Sequence, residues 1–164
     1  MRVHTALAYS CNCFVAHVAE RFESGELATE LRRFGFANVR PRAAQDAQRL
    51  QALGEDGVVV NASELAFAYR LLAKSAPESI LSGLEEAVEF GTAQRARVPG
   101  VAVAGKTGSA FSAAGEPIAW FAGFLPSRDP EIVVAVMLKG RSGGADAAPV
   151  AGEILRSYQA GIAC

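Results

Sequence analysis

The chain is short of several features that would point to other classes of protein. Its formal net charge is only −1, from 16 basic and 17 acidic residues in 164. It has no basic run and no interleaving of aromatic with basic residues, which argues against a nucleic-acid partner. No apolar stretch reaches the length of a membrane span. The opening residues Met1–Leu7 carry no long apolar region, so no secretory leader is expected there. Cysteine is scarce and odd in number, at three, which excludes a full disulfide framework. Cys11, Cys13 and His17 lie close together, but two thiols and one imidazole without a fourth ligand make a poor metal site. Small buried thiols on a helix are the simpler reading, and neither metal nor cofactor is expected. Histidine does not recur after His17. Gly140-Arg141-Ser142-Gly143-Gly144 fits the G-x-S-x-G pattern of a hydrolase elbow, but that chemistry needs a later histidine. Ser142 is therefore expected in a Gly-rich turn before the last helix.

What the chain does have is a core. Half of its residues are apolar, and 164 residues suffice for one domain. The pattern predicts an α+β organisation, with a helical part over 1–98 and a sheet with a closing helix over 99–164. Residues 5–23 read as helical, broken at Ser10 to Asn12. A short helix follows over 26–34, with Leu27, Leu31 and Phe34 inward and Gly35 as its stop. Residues 37–57 are irregular, with a weak helix at 43–53. Asn61-Ala62-Ser63-Glu64 fits a capping box and opens a helix to about Lys74. Another helix spans about 77–90, ended by Gly91. Three strands are expected at about 101–107, 117–124 and 131–138. Their short polar links make them antiparallel neighbours in that order, with the first at an edge. A final helix covers about 147–158, with Val150, Ile154, Leu155 and Tyr158 toward the sheet.

The stretch Val101-Ala102-Val103-Ala104-Gly105-Lys106-Thr107-Gly108-Ser109-Ala110 organises the rest. An edge strand there offers an ammonium, a hydroxyl and open backbone N–H groups to an anionic, amide-containing ligand. Gly108 lets such a ligand lie close to the backbone. Gly100 to Thr107 also satisfies the phosphate-loop pattern G-x-x-x-x-G-K-[ST]. That reading requires a helix starting at the lysine, whereas Gly108 and Ala113-Ala114-Gly115-Glu116-Pro117 are turn chemistry. A nucleotide binder is thus a remote alternative.

The other reading rests on several stretches together. Lys106-Thr107-Gly108 is a Lys-Thr-Gly element, and Ser10-Cys11-Asn12 is a Ser-x-Asn element. Taken alone, Ser10 and Asn12 are good helix caps. Ile118–Pro126, Glu131–Leu138 and Glu89-Phe90-Gly91-Thr92-Ala93 add to the pattern. With these, the chain resembles the C-terminal part of a penicillin-binding protein transpeptidase domain, in the superfamily that includes the serine β-lactamases. The resemblance implies an incomplete fold of that type and acyl transfer on D-Ala-D-Ala peptides in peptidoglycan cross-linking. It implies that Ser10 relays protons and that the Asn12 amide bonds the substrate backbone and the catalytic lysine. It assigns the ligand carboxylate to Lys106 and Thr107, with Gly108 close to the ligand and the Ser109 N–H as an oxyanion donor. The family's location outside the cytoplasmic membrane is implied by analogy.

The family's nucleophile, the serine of S-x-x-K, has no counterpart here. The three lysines are Lys74, Lys106 and Lys139, and three residues before them stand Leu71, Val103 and Val136. Only nine residues precede Ser10, too few for the nucleophile helix. The expectation is a half-site: a fragment or degenerate copy that is inactive alone and binds a stem peptide or β-lactam non-covalently. Another chain supplying the missing segment is one conceivable partner. A non-catalytic interaction module on the same half-fold is the alternative.

Overall fold

A computed structural model describes residues 1–162 of the protein. The elements run α1 (Val3–Ala8), α2 (Asn12–Ala19), α3 (Glu26–Arg33), β1 (Asn38–Val39), α4 (Gln45–Ala52), β2 (Val58–Val59), α5 (Ala62–Ser75), α6 (Glu78–Glu89), β3 (Ala104–Phe111), β4 (Pro117–Leu125), β5 (Ile132–Lys139) and α7 (Ala148–Ile162). A 3₁₀ turn at Gln94–Ala96 precedes β3, and a π-helical turn at Gly143–Ala147 precedes α7. The protein is α+β, as expected.

The main sheet has the order β3-β4-β5 with antiparallel pairing throughout. The register sets Thr107 beside Phe121 and Phe121 beside Val136. These residues share a face, and Phe121 and Val136 are buried in the core that also contains Ala147, Ala148, Ala151 and Leu155 of the closing helix. On the opposite face, Ala104 and Phe124 pack with Leu84 of α6 and with Tyr69 and Leu72 of α5. The sheet is thus gripped from two sides, leaving the outer edge of β3 beside a groove.

Several expected boundaries shift. The sheet begins at Ala104, not at 101. Gly100 adopts φ +80° and Val98 bridges Val101, so residues 98–101 form a tight turn. The Ala102 carbonyl is then taken by the Ser127 N–H at 2.9 Å. Because β3 runs on to Phe111, Lys106 and Thr107 stand inside the strand and not at its end. The first helix starts at Val3, and the second stops at Ala19 rather than near 23. The irregular stretch also holds a two-residue ribbon, β1 with β2, that the sequence did not disclose.

The closing helix buries Leu155 as expected and half-buries Tyr158, but not Val150 or Ile154. Val150 and Ile154 are exposed, while Ala147, Ala148, Ala151 and Leu155 are fully buried. Small residues let the helix come close: a Cβ on Gly152 would lie 2.5 Å from the Arg95 carbonyl oxygen. The buried-thiol reading also fails, since Cys11 is only half-buried and Cys13 is exposed.

The capping box of α5 is present in full. Asn61 Oδ1 accepts from the Glu64 N–H at 2.9 Å, and Glu64 Oε2 accepts from the Asn61 N–H at 3.0 Å. Helix α1 lies against α6 because Gly83 and Gly91 have no side chain. A Cβ on Gly83 would stand 2.9 Å from His4 Cα, and one on Gly91 would stand 2.1 Å from the Ala8 carbonyl oxygen. His4 Nδ1 meets Glu86 at 2.8 Å and fastens the same contact.

Candidate active site

The end of α1 sets the first wall. The Ser10 N–H bonds the Leu7 carbonyl at 3.2 Å, and the Cys11 N–H bonds the Ala6 carbonyl at 2.9 Å. This pair of bonds is the Schellman helix end, whose turning residue is left-handed and usually glycine. Here that residue is Ser10, at φ +55°. Asn12 then opens α2. Neither residue caps it: the N-cap is Cys11, with no side-chain cap bond. Both Ser10 and Asn12 are exposed. The cap explanation of the Ser-x-Asn stretch is therefore replaced by a strained turn that holds two polar side chains out from the helix ends.

Strand β3 sets the second wall. Lys106 and Thr107 project to opposite faces of the strand, as alternation requires, yet the free edge brings both to the groove. Lys106 Nζ donates to the Thr107 carbonyl at 3.0 Å. It has no salt bridge among the described residues, and burial pushes its pKa down to about 8. Thr107 Oγ1 donates to Thr92 Oγ1 at 2.9 Å. No helix begins at Lys106, because β3 continues to Phe111; the phosphate-loop pattern lies within a strand.

The third wall is the Gly-rich turn. Gly143 sits against the sheet so tightly that a Cβ there would be 2.5 Å from the Gly108 carbonyl oxygen. Its N–H donates to Ser109 Oγ at 3.2 Å. Asp146 Oδ2 holds the turn by accepting from the Arg141 and Ser142 N–H groups at 2.9 and 3.0 Å. Ser142 is in the Gly-rich turn as expected, and it also faces the groove.

All six sequence-predicted residues, Ser10, Asn12, Lys106, Thr107, Gly108 and Ser109, line one groove of about 680 Å³. That size suits a small peptide. The sequence reading missed Thr92, Leu53, Glu55 and Ser142–Gly144 as further lining. Thr92 had a signal in the stretch Glu89–Ala93; Leu53 and Glu55 had none, because they follow α4 in the irregular region. A second concavity of about 730 Å³ lies on the β1–β2 ribbon. Its Arg42 is already engaged by Asp56 through two hydrogen bonds of 2.6 Å.

Comparison with known proteins places the fold in a family. Residues 43–156 match the family profile described as penicillin binding protein transpeptidase domain. The peptidoglycan D,D-transpeptidase PbpA of Mycolicibacterium smegmatis is 36% identical over 80 residues, covering 43% of this chain and 16% of the relative. Stage V sporulation protein D of Bacillus subtilis is 36% identical over 98 residues, covering 53% and 15%. The transpeptidase domain of the FtsI4 D,D-transpeptidase from Legionella pneumophila superposes with a TM-score of 0.77 at 27% identity, over 94% of this chain and 69% of that one. The chain spans about one-sixth or less of the length of these curated relatives. With a match over residues 43–156 of 164, the chain belongs to the penicillin-binding protein transpeptidase domain family.

Proposed function

We propose that this chain forms the ligand-holding half of a D,D-transpeptidase site. The groove takes the C-terminal carboxylate of a D-Ala-D-Ala peptide, or the equivalent carboxylate of a β-lactam. One observation carries the reading: Ser10 and Asn12 share a single groove with Lys106 and Thr107, although most of the chain separates the two motifs. A helix cap and a solvated strand lysine would have no reason to meet.

The chemistry follows from the groups present. Lys106 is a partly desolvated cation without an anionic partner among the described residues, the electrostatic condition that favours an incoming carboxylate. The hydroxyls of Thr107 and Thr92 supply a donor to the same anion. Asn12 presents a neutral amide, which can both donate to and accept from a peptide bond lying along the groove. We assign to Ser10 the transfer of a proton across the groove from the Lys106 side, since both residues line it. These 164 residues contain no S-x-x-K, so bond-making depends on a serine from outside them. The site acts outside the cytoplasmic membrane.

A fluorescent penicillin tests the assignment. These residues alone are expected to show no labelled band that survives denaturation, while NMR titration with a D-Ala-D-Ala peptide shifts the amides of Gly108 and Ser109. A denaturation-resistant band that disappears in Ser10→Ala would show that Ser10 itself is a nucleophile, and the half-site reading would be wrong.

A further inference from the structure

Thr92 lies three residues beyond the end of α6, outside both motifs, where the three walls of the groove meet. Its N–H donates to the Ala8 carbonyl at 3.1 Å, two residues ahead of the strained Ser10. Its hydroxyl accepts from Thr107 Oγ1 at 2.9 Å. Its carbonyl is so near the Gly-rich turn that a Cβ on Gly144 would lie 2.5 Å from it. One residue thus touches the Ser10 turn, the Lys106 strand and the turn before α7.

We propose that Thr92 is a positioning residue for the ligand carboxylate, acting through the hydroxyl of Thr107. The inference rests on reading the groove as a carboxylate site. A hydroxyl carries one proton and two lone pairs. In the free groove Thr107 donates to Thr92; when a carboxylate takes the Thr107 proton, the Thr92 hydroxyl turns and donates to the Thr107 oxygen instead. Thr107 is then no longer a free rotor, and its O–H is polarised toward the ligand by the bond from Thr92 behind it. A carboxylate only accepts hydrogen bonds, so it draws on that proton. A C-terminal carboxamide brings its own N–H donors and draws on it far less. Meanwhile the Thr92 backbone keeps the Ser10 turn at a fixed distance from the same hydroxyl pair, which a side-chain substitution leaves in place.

The test is an NMR titration with diacetyl-Lys-D-Ala-D-Ala and with its C-terminal carboxamide. Wild type, Thr92→Val, Thr92→Ser, Thr107→Val and the double variant Thr92→Val/Thr107→Val are compared. Thr92→Val is expected to weaken the acid by about five- to tenfold, the size of one net hydrogen bond between neutral groups, and to leave the carboxamide unchanged. Thr92→Ser stays within about twofold of wild type, since it restores the hydroxyl. The double variant binds the acid no worse than Thr107→Val alone, because the two hydroxyls act as one unit. Should Thr92→Val fail to fold, Thr92→Ala carries the same comparison. The proposal is overturned if the valine variant binds the acid like wild type, if acid and carboxamide weaken equally, or if the two single losses multiply. A different outcome marks failure of the underlying reading. If wild type binds neither peptide, or if Lys106→Ala leaves acid binding intact, the groove is not a carboxylate site and Thr92 has nothing to position.

Discussion

Replacing Lys106 by methionine should make the protein more stable at neutral pH. Burial depresses the lysine's pKa from 10.5 to about 8. The unfolded chain keeps its lysine proton up to about pH 10.5, and the folded chain keeps it only to about 8. Below pH 8 both states hold the proton, and the fold bears the whole cost of confining a cation. The gap between 10.5 and about 8 is worth about 3 kcal/mol. Methionine has a similar length and no charge, so it removes that cost. It also removes the donor to the Thr107 carbonyl at 3.0 Å, a loss of about 1 kcal/mol. The expected net gain at pH 7 is about 2 kcal/mol. Between pH 8 and 10.5 the unfolded state binds more protons than the folded one, so wild-type stability rises with pH. The advantage of Lys106→Met must shrink across that window and be gone near pH 10.5. Urea denaturation of both proteins at pH 7, 8, 9 and 10.5 reads the difference, in which titrations common to both cancel. A variant less stable than wild type at pH 7, or a gain that ignores pH, would refute the desolvation argument.

The other predictions probe the walls. Ser10→Gly should stabilise the fold by about 1 kcal/mol, because φ +55° costs a residue with a side chain about that much; a loss of stability in urea melts would contradict the strain. Gly91→Ala should destabilise by about 2–3 kcal/mol, since its Cβ would sit 2.1 Å from the Ala8 carbonyl oxygen and the backbone must move. The same variant should broaden or shift the amide signals of Ser10 and Cys11, and an unchanged spectrum would count against it. Carboxylate binding should weaken as pH rises past about 8, where Lys106 loses its proton in the free protein. An affinity that stays flat from pH 7 to 9.5 would exclude the lysine as the anion's partner.

Parts of this molecule were legible in the sequence because they follow local rules. Asn61 and Glu64 formed their capping box because the two orphan donors at a helix start need those acceptors. The order β3-β4-β5 followed from links too short for a crossover. The failures share a cause. Val150 and Ile154 are exposed because α7 is pressed against Arg95 through Gly152, and close approach by small residues leaves no hydrophobic signature. Ser10 sits where a Schellman end calls for glycine, so composition could not disclose its role as the turning residue. Leu53 and Glu55 enter the groove through tertiary placement alone.

The departures from local rules are not scattered through the fold. Ser10 takes a left-handed conformation that glycine would fill at less cost. Lys106 is held with too little water and no counter-charge among the described residues. Asn12 is exposed at a helix start without serving as its cap. Each departure taken singly has a plain structural cost of about 1–3 kcal/mol or a missed chance to gain that much. Local consistency is what makes a sequence fold, and exceptions to it collect where a ligand compensates for them. These three exceptions come from two walls, the turn between α1 and α2 and the strand β3, and face one groove of about 680 Å³. The anion that would relieve Lys106 and the amide that would satisfy Asn12 are both parts of one C-terminal peptide. The same geometry explains why glycine recurs around the groove. At Gly91 a Cβ would strike the Ala8 carbonyl, and at Gly143 it would strike the Gly108 carbonyl, so the walls stand close enough for one small ligand to touch them all.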